Sequence, residues 1–163
     1  MTRWSTRRAG SADAETLMQT MAIGFEGYRA FAPQGWRPPE PVAELGRIAD
    51  RLGEAGTWAL LAEADEEPAG HVAFFAQAGT EGSAHLWQLF VRPPWWGAGL
   101  GRELLGRALE EARAQGYERM RLFTPEGQTR ARAFYEREGF EAVGPAAFDP
   151  KIGFEIMQYA RGL

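Results

Sequence analysis

The fold turns on one stretch, Val91-Arg92-Pro93-Pro94-Trp95-Trp96-Gly97-Ala98-Gly99-Leu100-Gly101. An apolar segment of high β propensity, 85–91, leads into it. The clearest helical pattern of the chain, 99–115, leads out of it. Leu100, Leu104, Leu105, Ala108, Leu109 and Ala112 share one face of that helix, and Gly116 stops it. Three glycines thus concentrate where a strand gives way to a helix. Backbone N–H groups at a helix start lack an intrahelical acceptor, the helix dipole is positive there, and glycine lets a phosphate approach the backbone. The stretch predicts an anion-binding loop. A glycine-rich helix start with no ligand is the alternative from these residues alone.

Two common phosphate loops are excluded. No Gly-Lys-Ser/Thr follows, so the loop is not of the Walker type. The third glycine of a dinucleotide fingerprint would fall at Arg102 or Leu104, and the following strand ends in Thr124 rather than in an acid.

Outward from the loop, the spacing predicts a strand over 4–9 and a helix capped by Ser11 with Leu17, Met18, Met21 and Phe25 inward. An aromatic, loop-like segment spans 24–39. A second helix starts at Pro41 and ends near Gly53 or Gly56. Strands follow over 57–63 and 70–77 around a polar turn at 65–68. After the central strand–loop–helix come a strand over 117–124, a helix over 128–138 closed by Gly139, and strands over 140–143 and 151–159. The whole reads as an α/β (α+β) chain, a mixed sheet with helices on its faces.

The chain has 163 residues, which fits one domain over 1–163. Its net charge of −4 argues against broad electrostatic binding of nucleic acid. It has no Cys, hence no disulfide framework and no thiolate nucleophile. Its Ser residues are Ser5, Ser11 and Ser83, none in a Gly-x-Ser-x-Gly elbow, and two His are too few for a multi-His metal site. No run of about 18 apolar residues predicts a membrane span. Residues 1–10 carry Arg3, Arg7 and Arg8 with no apolar segment after them, so no secretion signal is expected and a cytoplasmic location is the simplest reading.

The central stretch resembles the loop of the GCN5-related N-acetyltransferases (GNAT), where a strand ending in Val meets Gln/Arg-x-x-Gly-x-Gly/Ala and a helix. A second stretch, Gln128-Thr129-Arg130-Ala131-Arg132-Ala133-Phe134-Tyr135-Glu136-Arg137-Glu138-Gly139-Phe140, resembles the family's Asn-x-x-Ala-x-x-x-Tyr-x-x-x-Gly-Phe. One strand separates the two, as in the family. The chain departs from it at Trp96, where Gln or Arg is usual, and at Gln128, where Asn is usual.

The resemblance implies a mostly antiparallel GNAT-like sheet with a central splayed parallel strand pair and about four helices. It implies acetyl-CoA as acyl donor, with no metal. The pyrophosphate would rest on the amides from Trp96 through Gly97, Ala98, Gly99, Leu100 and Gly101 to Arg102. The pantetheine arm would run along Leu89, Phe90 and Val91, with Gln128, Ala131 and Phe134 alongside. Tyr135 falls on the position of the family's general acid, and a phenol can protonate a leaving thiolate. An aromatic that packs beside Phe134 and Phe140 is the alternative.

His85 falls where some members of the family carry a carboxylate base, and imidazole accepts protons near neutrality. A polar strand end, with water as the base, is the alternative. The Leu89 N–H is the implied oxyanion donor. Period-two spacing places Trp87 on one face with His85 and Leu89, as an acceptor-pocket wall or an ordinary core residue. Phe25, Tyr28, Phe31 and Trp36 fall where the family builds its acceptor wall, and equally suit a satellite hydrophobic cluster. Glu26 and Glu40 could attract a cationic amine. The charges at 110–121 read as solvated faces.

The expected function is direct acetyl transfer from acetyl-CoA to a primary amine of a small molecule or amino-acid-like acceptor. With no Cys and no suitable Ser, an acyl-enzyme is not expected. A non-catalytic acyl-CoA-binding module, for sensing or sequestration, is the alternative. Neither nucleic acid nor membrane is an expected partner. Pairing of two copies into a homodimer stays open.

Overall fold

The computed structural model describes residues 3–163. Met1 and Thr2, the first residues of the stretch read for a secretion signal, lie outside the described residues. The elements run β1 (Ser5–Arg8), α1 (Ala14–Glu26), α2 (Pro41–Gly53), β2 (Trp58–Ala64), β3 (Glu67–Ala76), β4 (Ser83–Val91), α3 (Leu100–Ala114), β5 (Arg119–Pro125), α4 (Thr129–Arg137), β6 (Glu141–Ala142), β7 (Ala147–Asp149) and β8 (Phe154–Gly162). They form an eight-stranded sheet in the order β1-β2-β3-β4-β5-β8-β6, with β7 also on β8. All pairs are antiparallel except β4 with β5. This is the mixed sheet with helices on its faces that the sequence predicts, mostly antiparallel and with four helices as the family resemblance implies.

Alternation along the strands feeds two cores, one on each face. Leu60, Val72, Phe74, Leu86, Met120 and Leu122 meet the apolar stripe of α3. Leu61 and Ala73 point the other way and meet Leu17, Met21, Ile48 and Leu52 of α1 and α2. The central strands are thus covered on both faces. A parallel pair needs a crossover, and α3 supplies it between β4 and β5.

Several boundaries differ from the sequence reading for local reasons. Ser11 opens a 3₁₀ turn, Ser11–Asp13, and makes no capping bond. Asp13 takes the N-cap position of α1 without a side-chain capping bond: its Oδ2 accepts from the Gly10 N–H at 2.9 Å, and its Oδ1 pairs with Arg7 at 2.8 Å. The helix α1 continues through Gly24 to Glu26 before a second 3₁₀ turn, Gly27–Ala30, so the aromatic loop starts later than 24. Gly24 is required where it stands: a Cβ there would lie 2.5 Å from Cδ1 of Phe90. The polar turn reverses at Asp65 and Glu66 alone, both at positive φ, and Pro68 already belongs to β3. The short strand β7 has no signal in the sequence, since three residues carry no periodicity.

Candidate active site

The strands β4 and β5 pair only from Ser83 opposite Arg119 to Leu86 opposite Leu122. Beyond that point β4 runs on to Val91 and β5 to Pro125, each held by its other neighbour, β3 or β8. The two strands part into a V that opens at their carboxyl ends, where open sheets with crossover helices take their ligands. Alternate backbone N–H and C=O groups of 87–91 face the gap.

A bulge sits beside the fork. Leu86 pairs with Phe74 and Gln88 with Ala73, which leaves Trp87 as one extra residue on β4. The extra residue reverses the alternation of side chains. Leu89 and Val91 pack on the α3 side, while Trp87 and Phe90 pack with α1 and α2. The face expected to be shared by His85, Trp87 and Leu89 is therefore corrected. His85 and Trp87 both meet Phe75, at ring distances of 5.2 and 6.0 Å, and Leu89 lies on the opposite face.

The glycine loop ends in unclaimed donors. Pro93–Trp95 makes a 3₁₀ turn, and Gly97 and Gly99 follow at φ +74° and +93°. Such angles cost about 1–2 kcal/mol for a residue with a Cβ. The Gly99 carbonyl accepts the first helical bond, from Glu103 N at 3.1 Å, and no side chain caps α3. Among the described residues, the N–H groups of Gly97, Gly99, Leu100, Gly101 and Arg102 have no acceptor. The amides of Trp96 and Ala98 are engaged with Pro93 O at 3.1 Å and Trp95 O at 3.3 Å, so they stand outside the free set.

Opposite Gly101, the Phe134 ring of α4 comes close enough that a Cβ would lie 3.9 Å from its Cζ. Ala131 and Phe134 both pack on the α3-side core. Gln128 takes the N-cap position of α4, and no side-chain bond caps the helix there. Trp96 folds back on the loop: its Nε1–H donates to Val91 O at 2.7 Å, and Arg130 of α4 lies 5.2 Å from its ring centroid. The ring is still half exposed.

Tyr135 is nearly buried, against Phe134 at 5.3 Å and Phe140 at 5.8 Å between ring centroids. Burial raises its pKa above the ordinary phenol value, and the nearby Tyr28 adds to the shift, so the hydroxyl keeps its proton at neutral pH. Tyr28 is likewise buried and its pKa is raised. Its ring joins Phe25 at 5.3 Å, Phe31 at 5.5 Å and Phe154 of β8 at 5.8 Å. Phe25 in turn meets Phe90 of β4 at 5.9 Å. The aromatic segment is thus a packed cluster that joins α1, β4 and β8. Glu26 is bound to Arg29 at 2.6 Å, and it lines an open cavity of about 570 Å³ with Trp36 and Glu40.

His85 is held by a residue that the sequence reading placed on a solvated face. The Nε–H of Arg121, its parallel partner on β5, donates to His85 Nδ1 at 3.2 Å. With Nδ1 as acceptor, the neutral ring carries its proton on Nε2. Burial, then Arg121 and Arg51, lower the His85 pKa to about 4. The lone pair expected to serve as a base therefore has a competing use.

His71 was singled out by nothing in the sequence reading. It is fully buried opposite Phe90, with Nε2 and Gln88 Oε1 2.8 Å apart, and burial lowers its pKa to about 4. The unfolded chain binds this proton from about pH 6.5 downward, the folded chain only from about pH 4. Stability therefore falls as pH falls across that window, by about 3 kcal/mol for this group, and is unaffected above it. Urea unfolding at a series of pH values should show a shallower decline between pH 6.5 and 4 in His71→Gln than in the parent. Equal slopes would contradict the assignment.

Residues 24–140 match the Acetyltransferase (GNAT) family. A mycothiol acetyltransferase of Beutenbergia cavernae is 34% identical over 120 residues, which cover 71% of this chain and 39% of that protein. The chain thus matches about two fifths of that relative's length. A solved protein of Desulfovibrio desulfuricans assigned to the GNAT family superposes with a TM-score of 0.76 at 25% identity, over 98% of each chain. The PaiA N-acetyltransferase of Thermoplasma acidophilum, solved in complex with coenzyme A, superposes over 97% of this chain and 98% of its own, with a TM-score of 0.73 at 19% identity. The family match starts at the glycine of α1 that touches Phe90 and ends just after α4. It takes in the fork, the glycine loop and Tyr135, and this chain belongs to the acetyltransferase (GNAT) family.

Proposed function

We propose that the chain, as one domain over 1–163, is an acetyl-CoA-dependent N-acetyltransferase acting on a primary amine of a small molecule. The observation that carries this reading is the fork between β4 and β5 next to five unclaimed loop amides. A pyrophosphate suits those amides, since they supply donors and positive dipole without a basic side chain. An extended amide-bearing arm suits the unpaired edge of 87–91 as an added strand suits a sheet edge. The mycothiol acetyltransferase relative supports acetyl transfer as the reaction class.

The donor supplies an activated acetyl carbonyl. In the proposed step the amine nitrogen bonds to that carbonyl carbon and the C–S bond breaks. The Leu89 N–H stabilises the oxyanion, and Tyr135 gives its proton to the departing thiolate. The amine proton leaves to water, because the Nδ1 lone pair of His85 is held by Arg121. His85 is the base only if Arg121 turns away. Phe25, Tyr28 and Trp87 wall the acceptor side.

Release of free thiol from acetyl-CoA, measured across a panel of primary amines, tests the reading. Amine-dependent release is expected. Tight CoA binding with no release for any amine would favour the non-catalytic module instead.

A further inference from the structure

On the α2 side of the fork, guanidinium groups and aromatic rings alternate around His85. Arg51 lies 3.9 Å from the Phe75 ring centroid, and Arg121 lies 5.0 Å from that of Phe123. Phe75 and Phe123 flank His85 at 5.2 and 5.6 Å. The two cations differ in their partners. Arg51 is neutralised by Glu54 at 2.8 Å. Arg121 spends only its Nε–H, on a neutral imidazole, and among the described residues no carboxylate pairs with it and its Nη1 and Nη2 have no acceptor.

A partly buried guanidinium costs desolvation, and proteins normally repay that cost with a carboxylate. Here burial alone lowers the Arg121 pKa, with no acid to raise it. The His85 bond and the Phe123 face fix the plane of the group, so its outer Nη1–Nη2 edge is presented ready-formed. The position is one pair before Leu86 and Leu122, where pairing stops and the fork opens, next to the residue expected beside the acceptor amine. Phe123 is 45% exposed although it is large and apolar, which suits a surface that a ligand covers.

We infer that the acceptor is an amine that also carries a carboxylate, and that Arg121 binds this carboxylate. The inference rests on the acetyltransferase reading and deepens it. One free guanidinium matches one negative charge, so a carboxylate suits the site better than a phosphate dianion. His85 then acts as a positioning residue: its Nδ1 holds Arg121 while its Nε2–H points elsewhere. The apolar walls Phe75, Trp87 and Phe123 take the rest of the molecule.

Two measurements decide it. The first is acetyl-CoA-dependent turnover of α-amino acids against their amides, as matched pairs. The second is calorimetric binding of N-acetyl amino acids and their amides to the CoA-saturated protein, a readout independent of turnover. The parent should favour the free carboxylate about 10- to 100-fold in kcat/KM and in affinity, the scale of a charge-assisted two-point contact. Arg121→Met should erase the preference while CoA affinity is kept, and Arg121→Lys should restore part of it. Equal use of acids and amides, or a preference that survives in Arg121→Met, would overturn the inference. So would silence toward every carboxylate compound on protein that binds CoA. Failure to bind CoA at all would instead overturn the acetyltransferase reading.

Discussion

Replacing Tyr135 by Phe lowers the turnover number of acetyl transfer by about 100- to 1,000-fold, the usual weight of a positioned proton donor. The change removes one oxygen and nothing else. The ring of Tyr135 is wedged between Phe134 and Phe140, and Phe keeps those contacts. Stability and CoA affinity should therefore hold. The direction of the pKa shift explains why a phenol suits this place. Burial and the nearby Tyr28 disfavour phenolate, so the phenol holds its proton at every pH near neutrality and is ready to donate it as the C–S bond breaks, after which a proton from water restores it. Stopped-flow release of CoA thiol checks the effect. Unchanged turnover in a folded, CoA-binding variant would remove Tyr135 from the chemistry and leave it as a packing residue.

Gly99→Val weakens CoA binding by about 10- to 100-fold, which is about 1.4–2.7 kcal/mol. Gly99 sits at φ +93° immediately before α3, a conformation that a β-branched residue adopts only under strain. The strain is relieved by turning φ negative, and that rotation carries the N–H groups of Leu100, Gly101 and Arg102 away from a common point. A Cβ at Gly99 meets nothing within 4 Å, so the loss is conformational and does not come from a clash. Calorimetric titration with CoA reads the change. Gly106 lies inside α3 with open space around its Cβ, and Gly106→Ala supplies the control that should leave affinity alone. An unchanged Kd in Gly99→Val would show that the loop amides do not hold the pyrophosphate.

Much of this site is legible in the sequence because its determinants are local. The glycine loop, the helix it opens and the second pattern around Tyr135 are each contiguous, and hydrophobic periodicity places the elements between them. The fork follows from a strand, a crossover helix and a parallel strand in that order. What the sequence hides is set by pairing across the sheet. No residue type marks the bulge at Trp87, which exists because β3 and β4 differ by one residue in register and which sends Leu89 to the face opposite His85. Arg121 lies 36 residues from His85 and sits in a run of charges that reads as solvated. Only the parallel register brings the two together. His71 and Gln88 escape for the same reason, as one buried bond between neighbouring strands. The start of α1 shows the reverse case, where two good capping residues lie close together: Asp13, not Ser11, takes the N-cap position, and its carboxylate is spent on the Gly10 N–H and Arg7 rather than on the helix.

The most direct test of the central claim is a residue-resolved amide NMR titration of the protein with CoA. The fork reading predicts saturable shifts and slowed exchange at Gly97, at Gly99 through Arg102, and along the open edge of β4 from Trp87 to Val91. The amides of β1 and β2, far across the sheet, should stay where they are. Saturable shifts confined to another surface, or none at saturating CoA, would contradict it.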